Sequence, residues 1–502
     1  NEICIRLRAT QQNSSVLPSD SLYAIEHDAM DTTFRSMYQG LYAFMSATKE
    51  RRDLLLFQRE PQFDVALDKQ IAEAADDFTR IALKAKAAKD YFLLVGPPGT
   101  GKTSCALKKM VETFYKEEGA QILLLSYTNR AVDEICKALS SIRPEVDFIR
   151  VGSELSCDEN YRDHLIENEL ATCMRRTEVC ERINRCRILV GTVASISGKP
   201  ELFRLKHFDV AIVDEATQIL EPQLLGILCA KGENGKEGVG KFILIGDHKQ
   251  LPAVVLQNTE QSEVYDEALS AVGLKNLKDS LFERLYRTAR QHTDAHRTYD
   301  MLCRQGRMHP EVALFANQAF YEGRLLPVGL PHQLEDSGNI NRLSFYPSQP
   351  EPMGSSAKTN HSEAKIAARL AATVYKEHSE AFDASRTLGI ITPYRSQIAL
   401  VKKEIEALGI PELNQILIDT VERFQGSERD VIIYSFCVNY PYQLKFLSNL
   451  TEEDGILIDR KLNVALTRAR KQMLLTGVPT LLERNPLYKS LLKLIESLRN
   501  IA

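Results

Sequence analysis

The sequence predicts an α/β protein of two domains, each a parallel sheet covered by helices. Three observations carry that expectation. Five short apolar runs alternate with helical patterns before residue 250; a glycine-rich turn joins the first run to a helix; and a second series of apolar runs follows a polar bridge.

The first series of strand-like runs falls at 91–95, 121–126, 187–192, 210–214 and 241–246. Between them lie stretches such as "SCALKKMVETFYKEEG" and "NRAVDEICKALSSI", whose apolar residues recur at helical spacing. Strands that are apolar throughout, linked by helices, require a sheet buried on both faces. "KGENGKEGVGK" (231–241) reads as a surface loop, and residues 258–300 as a polar, mostly helical bridge. The second series is "RLSFYP", "TLGIITPY", "QILIDTV", "DVIIYSF" and "QMLLTGV". The segment 327–362 is rich in Pro, Ser, Gly and Asn and reads as loop around its single strand. The expected organisation is a first domain over 61–295, with a small helical insertion at about 152–186, and a second over 296–502. Residues 31–60 read as one or two amphipathic helices, and "EICIRLRAT" after Asn1 as a strand, the end of something longer.

Composition narrows the class. The formal charge of the 502 residues is −4, so a nucleic-acid site has to be a local channel rather than a basic face. No apolar run approaches the roughly 18 residues of a membrane span, and no signal-peptide pattern opens the chain. The expectation is a soluble intracellular protein, cytoplasmic or, in a eukaryote, nuclear. Ten cysteines without a CxxC pair read as reduced thiols. Cys157, Cys173, Cys180 and Cys186 share the insertion, but their spacing is too loose to define a metal site.

The chemistry starts at "LLVGPPGTGKTSC", which fits G-x-x-x-x-G-K-[ST] with Gly96, Gly101, Lys102 and Thr103 in the fixed positions. Glycines let successive backbone N–H groups turn toward phosphate oxygens, and the following helix adds its positive end. Lys102 reaches the β- and γ-phosphates in such loops, and the Thr103 hydroxyl binds Mg²⁺. In "VAIVDEATQ", Asp214 and Glu215 close an apolar strand, suited to holding the metal and deprotonating an attacking water. "ILIGDHKQLPAVV" offers Gln250 as a γ-phosphate sensor after another strand. The second domain adds Arg307 in "RQGRMHPEV" and Arg468 in "RKLNVALTRAR". Cations brought from across a cleft to a γ-phosphate are worth about 10³ to 10⁵ in rate.

In order along the chain stand "LDKQ", "GPPGTGKT", "SYTNRAVDE", "VDEATQ", "GDHKQLP", "QGRMHP", "TPYRSQ", "FQGSERD" and "LNVALTRAR". This series, from about Leu67 to Gly477, resembles superfamily 1 helicases of the 1B branch, which includes the nonsense-mediated-decay RNA helicase and the replication nuclease-helicase. The resemblance implies two RecA-like P-loop NTPase domains in tandem with ATP in the cleft. It gives Gln70 the adenine edge, and Gly96, Gly99, Thr100, Gly101, Lys102 and Thr103 the phosphates and Mg²⁺. Thr103 and Asp214 become the metal ligands, Glu215 the base, Gln250 the sensor, Arg307 and Arg468 the fingers, and Glu428 a ribose or coupling contact. Thr128, Asn129, Thr192, Thr392 and Thr420 fall where such proteins touch the sugar-phosphate strand, although an ordinary turn or capping role fits them almost as well.

The resemblance further implies 5′→3′ movement on single strands, DNA as first choice and RNA as the alternative, from a monomeric core within a longer polypeptide carrying, for example, a nuclease. Residues 1–60 would then be the end of an accessory barrel and its returning helical stalk. The pattern departs from the family at Gln305-Gly306-Arg307, where a tyrosine usually precedes the arginine and stacks on the base. Glycine cannot stack, so either another aromatic substitutes or base selectivity is relaxed, and strict ATP preference is not expected. Outside the motor class, a nucleotide-gated clamp that hydrolyses without unwinding would use the same residues. A small-molecule kinase lacks any lid-like segment and leaves the second domain unexplained.

Overall fold

The computed structural model describes residues 32–499 apart from 256, 258, 337, 339, 353–355 and 454, so "EICIRLRAT" lies outside the described residues. The first sheet takes strands β1 (Tyr91–Val95), β2 (Ile122–Ser126), β3 (Phe148–Val151), β4 (Ile188–Thr192), β5 (Phe208–Val213), β6 (Val239–Gly246) and β7 (Tyr299–Met301) in the order β3-β4-β2-β5-β6-β1-β7. Every pairing in it is parallel. β1, β2 and β4 are buried along their whole length, as a sheet sandwiched between helices demands.

That sheet ends later than expected at 295, because Tyr299, Asp300 and Met301 pair with Leu93, Leu94 and Val95. Asp300 is accommodated there by Arg80 and Lys84, whose nitrogens lie 2.5 and 2.7 Å from its carboxylate. Helices Thr32–Ser46 and Lys49–Leu55 belong to the same body. Gly40 crosses Glu221–Leu228 so closely that an added Cβ would overlap Pro222, and Arg51 donates to Val239 O and Gly240 O at 2.6 and 2.8 Å. Between β3 and β4 the insertion is helical, with Ile166–Glu169 and Arg176–Arg185 tied by Arg182 to Asp147 and Glu169. Cys157 and Cys186 are buried in it, and Cys173 and Cys180 half-buried.

Two short pieces, β8 (Arg304–Gln305) and β9 (Leu326–Pro327), pair in parallel at the entrance to the second domain. Its sheet takes β10 (Leu343–Pro347), β11 (Leu388–Ile391), β12 (Leu417–Asp419), β13 (Arg429–Ser435) and β16 (Ala469–Gly477), all parallel, ordered β10-β16-β13-β11-β12. A hairpin of β14 (Leu450–Glu453) and β15 (Ile456–Asp459) stands apart from it. Each sheet carries an apolar cluster on either face, as in Phe92, Leu94, Leu107 and Ile243 on one side of the first and Leu93, Leu123, Phe242 and Leu244 on the other. No described helix is long and apolar enough to cross a membrane.

Candidate functional site

Strand order dictates where the first domain's chemistry gathers. β5, β6 and β1 are neighbours, so their carboxyl ends bring together Asp214-Glu215, the Asp247–Gln250 turn and the glycine loop. Ligands in open parallel sheets bind at such ends. Gly99 (φ 74°) and Gly101 (φ 77°) hold the left-handed backbone that a side chain would strain, and the Lys102 stem folds back over Gly96. Thr100 is buried, its hydroxyl donating to Pro97 O at 2.7 Å. The Lys102 ammonium faces Glu215 at 3.5 Å, and Gln218 donates to the same carboxylate at 3.1 Å. Glu215 itself sits at φ 53°, a backbone state that costs a non-glycine residue about 1 kcal/mol or more and that clusters at active sites.

The Thr103 hydroxyl donates to the Asp214 carboxylate, which is 1% exposed. Burial, then the charge of Glu215, pushes the Asp214 carboxyl up to about 6, against the pull of Thr103 and Lys102. A hydroxyl and a buried carboxylate, both hard oxygen donors short of positive charge, are the donor set that Mg²⁺ takes.

The second domain meets this cluster with the amino ends of β13 and β16, joined where Arg429 N donates to Arg468 O at 3.0 Å. The Arg468 side chain is 2% exposed and donates to Val464 O (3.0 Å), Ser427 O (3.4 Å), Thr467 Oγ1 (3.3 Å) and, across the seam, Gln250 Oε1 (3.3 Å). All these acceptors are neutral. Burial, then the neighbouring Arg307, lowers its pKa to about 9, still charged at neutral pH. With its hydrogen-bond acceptors all neutral, the carboxylates of Glu215 and Glu428 supply the field that favours its charge, a setting suited to a further anion.

Arg307 lies against the glycine loop: Gly306 N donates to Gly99 O at 2.8 Å, and a Cβ on Gly99 would collide with Arg307. Its guanidinium is held by Glu428 at 2.6 Å and Thr467 O at 3.3 Å. Burial works against the Glu428 charge, but Arg307, then Arg470, outweighs it and keeps that carboxyl below the ordinary range. The aliphatic ends of Val328 and Leu330, not an aromatic ring, flank Gly306.

Residues not singled out from the sequence complete the seam. Asp247 accepts from Gln250 Nε2 and from Tyr321 Oη, both at 2.7 Å. Asn463 Nδ2 reaches Tyr321 Oη at 2.8 Å and Lys249 O at 2.7 Å. Asn463 stands in "LNVALTRAR" and Asp247 in "GDHKQLP", so motif membership was their only available signal.

Gln70 is not drawn into this cluster. It is exposed on helix Asp68–Ala72, which packs on Asp77–Ala87, and Phe78 of the latter approaches Gly101. Thr128 and Thr192 cap helices by accepting from Ala131 N (3.2 Å) and Ser195 N (3.0 Å), and Asn129 opens the helix that Thr128 caps. Thr392 is wholly buried at the carboxyl end of β11, and Thr420 follows β12. Between these two groups Arg130 spans the domains, donating to Gly426 O at 3.3 Å.

Two parallel sheets that meet at one seam, with a glycine loop of P-loop pattern on one side and the half-buried Arg307 and buried Arg468 on the other, define a tandem RecA-like P-loop NTPase. Two models of AAA domains match the chain, one over residues 73–179 and 166–258, the other over 277–480. The chain is 27% identical over 542 residues to the DNA replication ATP-dependent helicase/nuclease DNA2 of Bos taurus, covering 97% of this chain and 46% of that protein. It is 28% identical over 535 residues to the Homo sapiens protein of the same name (96% and 46%), and 26% identical over 482 residues to the DNA polymerase alpha-associated DNA helicase A of Saccharomyces cerevisiae (82% and 65%). The chain belongs to the superfamily 1 helicases of the 1B branch. It spans about half the length of the DNA2 relatives it matches.

Proposed function

We propose that the chain is the motor of an ATP-dependent DNA helicase, stepping 5′→3′ along one strand. The observation that carries this reading is Arg468, a buried cation of the second domain hydrogen-bonded to Gln250 of the first and within the field of Glu215, the carboxylate that Lys102 faces. A γ-phosphate would give Arg468 an anionic partner and would compete with Glu215 for Lys102. With it bound, each domain gains contacts that only the closed cleft offers; without it, Glu215 is the carboxylate nearest both groups. A ligand moves such an equilibrium through its different affinities for the two states.

Glu215, released from Lys102 once that lysine turns to phosphate, is placed to take the proton of an attacking water. Gln250, bonded to Asp247 and Arg468, links that chemistry to the contacts that cross between domains, Tyr321 to Asp247 and Asn463 to Lys249 O. Thr103 and Asp214 would hold Mg²⁺, which when bound supplies charge between the phosphates. DNA is favoured as the strand because the relatives carry DNA helicase names.

The test is ATP turnover with and without oligo-dT, Lys102→Ala serving as control, joined to strand displacement on duplexes with a 5′ or a 3′ overhang. Stimulation by the oligonucleotide and displacement from the 5′ overhang alone are expected. Turnover indifferent to the strand, with no displacement from either duplex, would reject the reading; displacement only from the 3′ overhang would reverse the polarity.

A further inference from the structure

The carboxyl ends of β13, β11 and β12, neighbours in the second sheet, lie at the opposite end of the strands from Glu428 and Arg468. At that end of the sheet the segments that follow β13, β11 and β10 are laced together by one buried side chain. Gln443 accepts from Asn439 N (2.8 Å) and Tyr440 N (2.9 Å) and donates to Ala357 O (2.7 Å) and Tyr394 Oη (3.2 Å). Pro441 fixes the backbone of the single turn Pro441–Gln443. The rings of Tyr440 and Tyr442 are thereby set parallel, 5.8 Å apart at 13°, with Tyr442 55% exposed. Phe446, 63% exposed, follows on helix Leu444–Leu447.

Packing alone gives little reason to leave Tyr442 exposed, stacked on the half-buried Tyr440 and held by a buried amide, with Phe446 exposed beside it in sequence, since apolar rings gain more from the core. The surrounding charge says what covers them. Lys358, Arg395 and Lys445 are exposed on the same three segments, and the Lys461 ammonium donates to Phe446 O at 3.3 Å while pairing with Glu422 at 3.2 Å. Glu422 stands two residues beyond Thr420, and the Thr392 hydroxyl at the end of β11 is buried with no hydrogen-bond partner among the described residues. Aromatic faces interleaved with lysine and arginine fit a single strand of nucleic acid, bases on the rings and phosphates on the cations.

We infer that Tyr442 and Phe446 form a base-stacking platform for single-stranded DNA on the second domain, with Gln443 as the residue that positions it. This rests on the proposed motor function and names the contacts by which the second domain grips its track. Stacking is indifferent to base identity, so the platform slides without reading sequence.

The test compares binding of labelled oligo-dT with that of an abasic strand of equal length, by anisotropy, for the whole chain and for Tyr442→Ala/Phe446→Ala. The wild type is expected to prefer oligo-dT; the double variant loses about tenfold in affinity for it, binds the abasic strand unchanged, and keeps its strand-independent ATP turnover. Tyr442→Trp/Phe446→Trp restores the preference. Lys445→Ala, in contrast, weakens both strands and flattens the salt dependence. A double variant that binds oligo-dT as tightly as the wild type overturns the platform while leaving the motor reading intact. A wild type that binds neither strand rejects the motor reading itself.

Discussion

The two sides of the nucleotide seam are built by opposite means. In the first domain the phosphate grip is one continuous run, Gly96 to Thr103, whose shape follows from its own glycines and the helix it opens. In the second domain the cations are assembled from afar. Arg307 is held by Glu428 and Thr467 O, 121 and 160 residues away, and Arg468 is fixed by carbonyls from two separate segments. A local grip binds wherever it is placed; a dispersed one acts only when the whole second domain is folded and docked. Binding and turnover should therefore come apart under mutation.

The strongest way to break the comparison is at Arg468. Arg468→Ala is expected to lower ATP turnover by about 10³-fold while nucleotide affinity stays within about tenfold, whereas Lys102→Ala abolishes both. Fluorescent-nucleotide titration beside a turnover assay separates them, and equal loss of binding in both variants would erase the distinction. Next in size is docking itself. Glu283 of the first domain, 4% exposed, pairs with Arg460 of the second, so Arg460→Ala leaves a buried charge with only Ser280 N and Oγ as donors and is expected to cost about 3 kcal/mol, read as a lowered urea midpoint.

A smaller effect belongs to the second domain alone. Glu363 is wholly buried beneath β13, accepting from Ser435 Oγ (2.7 Å) and Cys437 N (2.8 Å). Burial pushes its carboxyl from 4.5 up to about 7. A raised folded pKa means that protonation favours the fold: the contribution is complete below about 4.5 and is lost as pH rises through about 7. Melting of the wild type should fall across that window by an amount worth up to about 3 kcal/mol, and Glu363→Gln should flatten the fall. The mildest change tests the missing ring. The ends of Val328 and Leu330 can yield to a side chain at position 306, so Gly306→Tyr should raise preference for ATP over CTP by about three- to tenfold, measured as a ratio of kcat/KM.

The same contrast explains what could be read from the sequence. All five strands of the second sheet were visible as apolar runs, "LGII" and "VIIYS" among them, because the stretches covered on both faces have few polar positions to blur them. β3 and β7 were missed. Arg150 interrupts β3 and is tolerated only because Asp133, in the preceding helix, meets it; Asp300 interrupts β7 and needs Arg80 and Lys84. Each of those partners lies outside any window that could have revealed the strand. At the site the ordered motifs named the groups that meet at the seam, yet Asp247, Tyr321 and Asn463, which cross it, leave no local mark: a lone tyrosine after a helix looks like packing until the opposite domain is in place. Gln70 shows the converse, a motif residue whose element packs beside the site without a contact to it.

One bond in the seam lies beyond the reach of ordinary sequence drift. Gly306 N meets Gly99 O, main chain to main chain, so no exchange of side chains at 306 short of proline deletes it. Evolution could therefore discard a ring at this position, and with it a taste for one base, without uncoupling the two halves of the engine.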